Sequence, residues 1–406
     1  MTIDGSEMKA AKVDTLQRVK PGCEDFLESW VELTRGRRVG LIANHTSVFP
    51  DGRHDVDVLR GEHNVTITVL FSPEHGIRGT APAGEHVDSL LDPLTGLQVF
   101  SLYGEHTKPD KSMLEDVDFL VYDIQDAATR FYTYISTMTL CMESAAENNI
   151  PFVVFDRPTI ISGNKTDGPF LHEDCRSYIG MLPVPILYGM TPGELAGLIQ
   201  KEYLKPKGLK AELKVIRLRN YNRTMWYDET GLPWVIPSPN VRTIEAATIY
   251  PGTALVEGTN VSEGRGTGFP FQTIGAPFID GKKLADSLTG LDMPGVRFEP
   301  ADFTPHQSNT VSHPRFKDQL CHGVFIRVTD RTAIRPVEVG LATVCAIRNL
   351  YPEDTKFRSD GAFDRLTGDR QIKTMIEEGA GFREIASTWK DALDRFTEVR
   401  KEYFLY

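Results

Sequence analysis

Four apolar runs in the first half of the chain each stop abruptly at polar, turn-forming residues, and this limits the possible folds more than any other feature. Residues 37–43 (RRVGLIA) end at Asn44-His45-Thr46-Ser47, and 65–71 (VTITVLF) end at Ser72-Pro73-Glu74-His75-Gly76. Residues 117–122 (VDFLVY) end at Asp123-Ile124-Gln125-Asp126, and 151–155 (PFVVF) at Asp156-Arg157-Pro158. Continuous rather than alternating apolar runs describe strands buried on both faces, as in a parallel sheet covered by helices. Helix-like stretches separate the runs, and right-handed crossovers would carry all their polar ends to one rim. In an open α/β sheet that rim is where ligands sit.

Around these runs the sequence predicts a helix over 24–34 covering the first strand, a short helix over 55–62, and a long loop over the rim at 79–92. A short strand is expected at 95–103, a connecting helix at 108–116 and a longer helix over 132–149. The stretch 159–185 holds too many glycines and prolines for a regular element. Thr191, Pro192 and Glu194 mark the start of a helix running to 203, because a threonine cap, an early proline and a glutamate three residues on satisfy orphan amides. A strand follows at 213–218, then a turn-rich segment at 234–240. Beyond 275 the pattern changes to a strand at 323–329 and helices over 337–350, 364–378 and 382–403. The 406 residues are too many for one small core. They divide into a disordered lead-in (1–22), a parallel-sheet α/β domain (23–274) and a smaller C-terminal α/β domain (275–406) that closes one side of a cleft and contributes mainly packing.

A net charge of -11 argues against nucleic acid as the main partner, since phosphate binding needs a basic surface. The five cysteines are scattered without a C-x-x-C pair, so neither a zinc site nor a disulfide framework is indicated. No segment approaches the ~20 apolar residues of a membrane span, and the N-terminus has no apolar leader core. A cytoplasmic location is expected, or an exported one if a leader has been removed.

The rim candidates are Asn44, His45, Glu74, His75, Asp123, Gln125 and Asp156. A second stretch, 253–271 (TALVEGTNVSEGRGTGFPF), surrounds Asn260, Glu263 and Arg265 with glycines whose backbone N–H groups can line a concavity. It matches neither a phosphate loop nor a dinucleotide fingerprint, and no cofactor is expected. Arg130-Phe131-Tyr132 beside the Asp123 rim offers a sugar-stacking wall with Arg130 as anion partner, or simple packing. Several carboxylates with few lysines suit acid-base hydrolysis, and Glu74, locked by Pro73, is the first choice for the acid. His45, His75 and Asp123 gathered on a metal are the competing reading, although no local ligand pair exists. A serine nucleophile lacks the G-x-S-x-G turn.

The runs SPEHGIRG, DIQDAATRFYTY, VVFDRP, YGMTPGELA, ETGLPWVIPSPN and YPGTALVEGTNVSEGRGTGFPFQTIGAPF, with REIASTWKDALDRF near the end, resemble the NamZ family of exo-β-N-acetylmuramidases. The resemblance spans about residue 37 to the C-terminus. It implies a Rossmann-like N-terminal domain, a smaller C-terminal domain with the cleft between them, and release of N-acetylmuramic acid from non-reducing ends of peptidoglycan fragments. It also places the catalytic glutamate at Glu74. Two stretches depart from the family pattern: Asp156-Arg157-Pro158-Thr159-Ile160, where Asp-Arg-Pro-Asn-Pro is usual, and Val241-Arg242, where a Met-Pro pair is usual. For a muropeptide or amino-sugar substrate, Arg265, Arg130 or Arg78 is a plausible clamp for the lactyl carboxylate. The 2-acetamido group oriented by Asp123, or a carboxylate pair of Glu74 with Asp123 or Glu263, would complete the chemistry. The rivals are a metal-dependent amidase or esterase of cell-wall fragments and a non-catalytic muropeptide-binding protein.

Overall fold

The computed structural model describes residues 18–79 and 90–406. In chain order the strands of its largest sheet are β1 (Val39–Ala43), β2 (Ile67–Ser72), β3 (Leu90–Leu91), β4 (Gln98–Ser101), β5 (Phe119–Asp123) and β6 (Phe152–Phe155). A two-stranded hairpin of β7 (Asp167–Phe170) and β8 (Pro185–Leu187) intervenes before β9 (Leu213–Ile216) completes it. The spatial order is β3-β4-β2-β1-β5-β6-β9, and every pairing is parallel except β3 with β4. The chain grows outward from β1 first on one side and then on the other, so the order reverses at β1 and β5 and opens a crevice beyond their C-terminal ends.

The expected two-sided burial is present. Leu120 and Tyr122 of β5 join one apolar cluster while Phe119 and Val121 join another on the opposite face, and Phe152 and Val154 of β6 divide from Val153 and Phe155 in the same way. The helices that cover these faces include α1 (Gly22–Ser29), α2 (Asp55–Gly61), α3 (Tyr134–Glu147) and α4 (Pro192–Leu198). Thr191 caps α4 in a full capping box with Glu194, as its sequence predicted.

Several elements differ from expectation for local reasons. The helix expected over 24–34 ends at Ser29 and continues only as a 3-10 turn. It packs on β6 and β9 rather than over the first strand, because the Gly22 N–H is tied to the Asp156 carbonyl at 2.8 Å and Phe26 meets Phe155 with ring centroids 4.7 Å apart. In place of a helix over 108–116 there is only a 3-10 turn at Ser112–Leu114, since Asp110 Oδ1 accepts the Ser112 and Met113 amides in a turn of its own. Of the lead-in read over 1–22, residues 1–17 lie outside the described residues, whereas Val19 is buried and donates its N–H to Thr230 O at 2.9 Å. Most of the rim loop read at 79–92 also lies outside them.

The second half builds a three-stranded antiparallel sheet from β10 (Thr273–Ala276), β11 (Val296–Phe303) and β12 (Cys321–Val328) in the order β10-β12-β11. A boundary at 274/275 therefore cuts β10. Around this sheet lie α5 (Ile244–Thr253), α6 (Gly281–Thr289) and α7 (Pro336–Leu350), followed by α8 (Ala362–Thr367), α9 (Arg370–Glu377), α10 (Phe382–Ser387) and α11 (Lys390–Val399). Each of the last two expected helices is split in two. Gly368 at φ 76° breaks the first, and Asp369 starts α9 by accepting the Gln371 amide. α5 crosses α7 backbone to backbone: a Cβ on Gly252 would lie 1.7 Å from Pro336 O, and one on Gly340 2.0 Å from Gly252 C. Among the described residues no helix is long and apolar enough to cross a membrane.

Candidate active site

The turn after β2 supplies the centre. Pro73 ends the ladder because it has no N–H to donate, and His75 then adopts φ 75°, a left-handed conformation that non-glycine residues seldom take and that tends to mark functional turns. This reversal leaves Glu74 facing a cleft of about 690 Å³. Gly79, at φ 72°, lets the end of the same turn press on His45, since a Cβ there would stand 2.4 Å from the imidazole Cγ. Burial lowers the His45 pKa to about 4, so its ring is neutral and its Nε2–H donates to the Ile236 carbonyl at 2.8 Å.

Glu74 is held from two sides. Thr133 occupies the N-cap position of α3 but does not cap it, and instead donates its hydroxyl to Glu74 Oε2 at 2.9 Å. The Tyr103 phenol hydrogen-bonds the same carboxylate, and burial followed by the Glu74 charge raises its pKa. Beyond Glu74 the cleft is walled by Tyr103, Phe131, Tyr132, Tyr134 and Tyr250. Tyr132 stands edge-on to Tyr134 with centroids 4.8 Å apart and to Tyr250 at 5.9 Å, so the rings brace one another. A rigid aromatic wall of this kind suits the apolar face of a sugar ring.

In the same lining, Arg265 bridges two carboxylates, with Nη1 3.0 Å from Glu263 Oε1 and 3.1 Å from Glu257 Oε2. Burial raises the Glu257 pKa against the pull of Arg265, with Glu263 and then Glu74 adding to the rise. Those two carboxylates hold the Arg265 guanidinium firmly in its charged form despite its burial. The cleft is completed from the C-terminal half by 310–315, Arg358 and Leu366. That half was expected to contribute mainly packing; it supplies two of the arginines facing the cleft, Arg315 and Arg358.

Of the residues singled out from sequence, Glu74, His75, Tyr132, Glu263 and Arg265 line the cleft. The others are held elsewhere. Asp123 is fully buried beneath the rim, where it accepts from Arg157 Nε and, at 2.7 Å, from Arg157 Nη2. Arg130 is wholly buried and donates to the carbonyls of Pro169, Val184, Leu366 and Thr367, so it pins the second half to the first rather than meeting an anion. Arg78 is clasped by Asp57 and Asp92. Asn260 binds the backbone of Asp354 and Lys356. Gln125 donates to Asp126 O and Pro158 O, and Asn44 Oδ1 accepts from Thr46. Asp156 accepts from Thr191 Oγ1, the Gly193 amide and the Tyr406 hydroxyl, anchoring α4 and the C-terminal tyrosine. The trio considered for a metal is not assembled, since Asp123 is fully buried in its pairing with Arg157. Among the described residues no three His, Cys, Asp or Glu side chains form a metal-binding group. Sequence reasoning missed Tyr103, Thr133, Tyr250, Glu257, Arg315 and Arg358. Only Glu257 carried a signal, its place in the glycine-rich stretch with Glu263.

Two family models described as the N-terminal and C-terminal parts of exo-β-N-acetylmuramidase NamZ match residues 39–245 and 248–406. The chain is 44% identical over 389 residues to a peptidoglycan β-N-acetylmuramidase NamZ of Bacillus subtilis, covering 96% of this chain and 92% of that one. Among solved structures it resembles a DUF1343 family protein of Bacteroides fragilis with a TM-score of 0.88 at 34% identity, covering 96% of this chain and 99% of the other. A second protein of that family and organism matches with a TM-score of 0.77 at 33% identity over the same shares.

Proposed function

The chain belongs to the NamZ family of exo-β-N-acetylmuramidases, and from that premise we propose that it is a glycoside hydrolase releasing N-acetylmuramic acid from non-reducing ends of peptidoglycan fragments, with Glu74 as the proton donor. The observation that carries the residue assignment is the clamping of Glu74 by Thr133 and Tyr103 on the lining of an aromatic-walled cleft. The terminal sugar lies along the wall formed by Tyr132 and Tyr250, its glycosidic oxygen towards Glu74. Glu74 protonates that oxygen as the bond to the anomeric carbon breaks, and water adds to that carbon, its released proton restoring the acid. Glu263, held in place by Arg265, presents a carboxylate to the oxocarbenium-like charge that develops.

Glu74→Gln preserves shape and hydrogen bonding while removing the acid. On a muramic-acid-terminated disaccharide its turnover should fall by about a hundredfold or more. The loss should be much smaller on a nitrophenyl glycoside, whose leaving group needs little protonation. Wild-type turnover of the disaccharide by this variant would remove Glu74 from the role. Because the surroundings of Glu257 favour its protonated form, Glu257→Gln is the companion variant. If Glu257→Gln alone shows the leaving-group dependence, the acid is Glu257.

A further inference from the structure

We propose that Arg315 is the receptor for the lactyl carboxylate of N-acetylmuramic acid, and hence the residue by which the cleft distinguishes that sugar from N-acetylglucosamine. This rests on the reading of the cleft as a muramidase site and adds what selects the sugar. The cleft holds three arginines, and two are already neutralised. Arg265 bridges Glu257 and Glu263, and Arg358 donates to Asp360 Oδ2 at 2.5 Å. Arg315 lines the same cleft, yet among the described residues it has neither an ion pair nor a hydrogen bond, and its Nε is buried without a partner. Burial, with Arg358 and Arg265 nearby, destabilises its charged form against the weaker pull of Glu263 and Glu257. A part-buried guanidinium without a counter-ion is costly, and a bound carboxylate would remove that cost with a planar, two-pronged match.

Its position is fixed by the fold. The segment 310–315, between β11 and β12, is gripped by both halves of the chain: Asn240 Nδ2 donates to Thr310 O at 3.3 Å, and Pro314 packs against Gly266 of the glycine-rich turn. Arg315 is therefore presented from a braced loop beside the Arg265 bridge, in the same cleft as Glu74. N-acetylmuramic acid differs from N-acetylglucosamine by the lactyl ether on O3, whose carboxylate is its only charge. A cleft with one uncompensated arginine has a use for that charge.

The test compares N-acetylmuramic acid with its methyl ester, which removes the charge and keeps the ether. In calorimetric titration, and in kcat/KM on the corresponding nitrophenyl glycosides, the wild type should prefer the acid by about a hundredfold. Arg315→Met should bring that ratio close to one, with the loss mainly in KM, and Arg315→Lys should restore part of it. Equal treatment of acid and ester by the wild type, or an undiminished preference in a folded Arg315→Met protein, overturns the assignment. A wild type that hydrolyses neither glycoside refutes the muramidase reading instead, and the titration then still decides for or against Arg315.

Discussion

Replacing Arg157 with methionine tests how the rim beneath the cleft is held. The Arg157 guanidinium donates to Asp123 from Nε and Nη2 and reaches the Val48 carbonyl at 3.1 Å. Burial raises the Asp123 pKa to about 7 against the pull of Arg157, and the neighbouring Asp55 carboxyl adds to the rise. Arg157 is the cation that faces Asp123, while Asp55 has His54 Nδ1 3.1 Å from its Oδ1. Without the arginine, an ionised Asp123 is left buried with no cation beside it. Breaking a buried pair from one side costs ~3–5 kcal/mol, and the orphaned carbonyl adds ~1 kcal/mol. We expect Arg157→Met to lose about 4 kcal/mol at pH 8. At pH 5, below the raised Asp123 value of about 7, that carboxyl is neutral with or without the arginine, and the loss should fall to roughly 2 kcal/mol. Urea unfolding followed by tryptophan fluorescence at both pH values measures this, and Arg157→Met with Asp123→Asn should recover part of the pH 8 loss. Equal losses at the two pH values, or a double variant no better than the single one, would refute the reasoning.

Asp156, whose pKa burial raises from 3.8 to about 7, holds a proton in the folded state that the unfolded chain gives up earlier. Its contribution is therefore complete below pH 4 and is lost as pH rises through 7, by up to ~1.4 kcal/mol per unit. Asp156→Asn should flatten the stability profile between pH 5 and 7, and parallel profiles for wild type and variant would contradict this. Gly252→Ala, which sets a methyl group 1.7 Å from Pro336 O, should separate α5 from α7 and cost at least ~3 kcal/mol; thermal unfolding at wild-type temperature would show that the crossing tolerates a side chain.

The sheet was legible because its signals are local. Apolar runs such as 119–123 declare burial on both faces, and Pro73 and Gly76 declare where a strand stops. The Thr191-Pro192-Glu194 start of α4 is likewise written in adjacent residues. Helices failed where a local competitor was overlooked, as with the Asp110 turn and the Gly368 break. The C-terminal half was misjudged because the loop holding Arg315 has no periodic pattern, and its meaning comes from Asn240 and Gly266, far away in the chain.

The sequence alone therefore determined the α/β class, the gathering of strand ends at one rim, the family and the placing of Glu74 at that rim. The tertiary structure alone decided which charges face the cleft. Asp123, Arg130 and Arg78 are spent on partners 34 to 237, or 14 to 21, residues away, while Glu257 and Arg315 remain at the cleft. Turn chemistry and periodicity act over a few residues and can be read directly. The pairing of a buried charge depends on which elements pack together, and that is settled only when the whole core has closed.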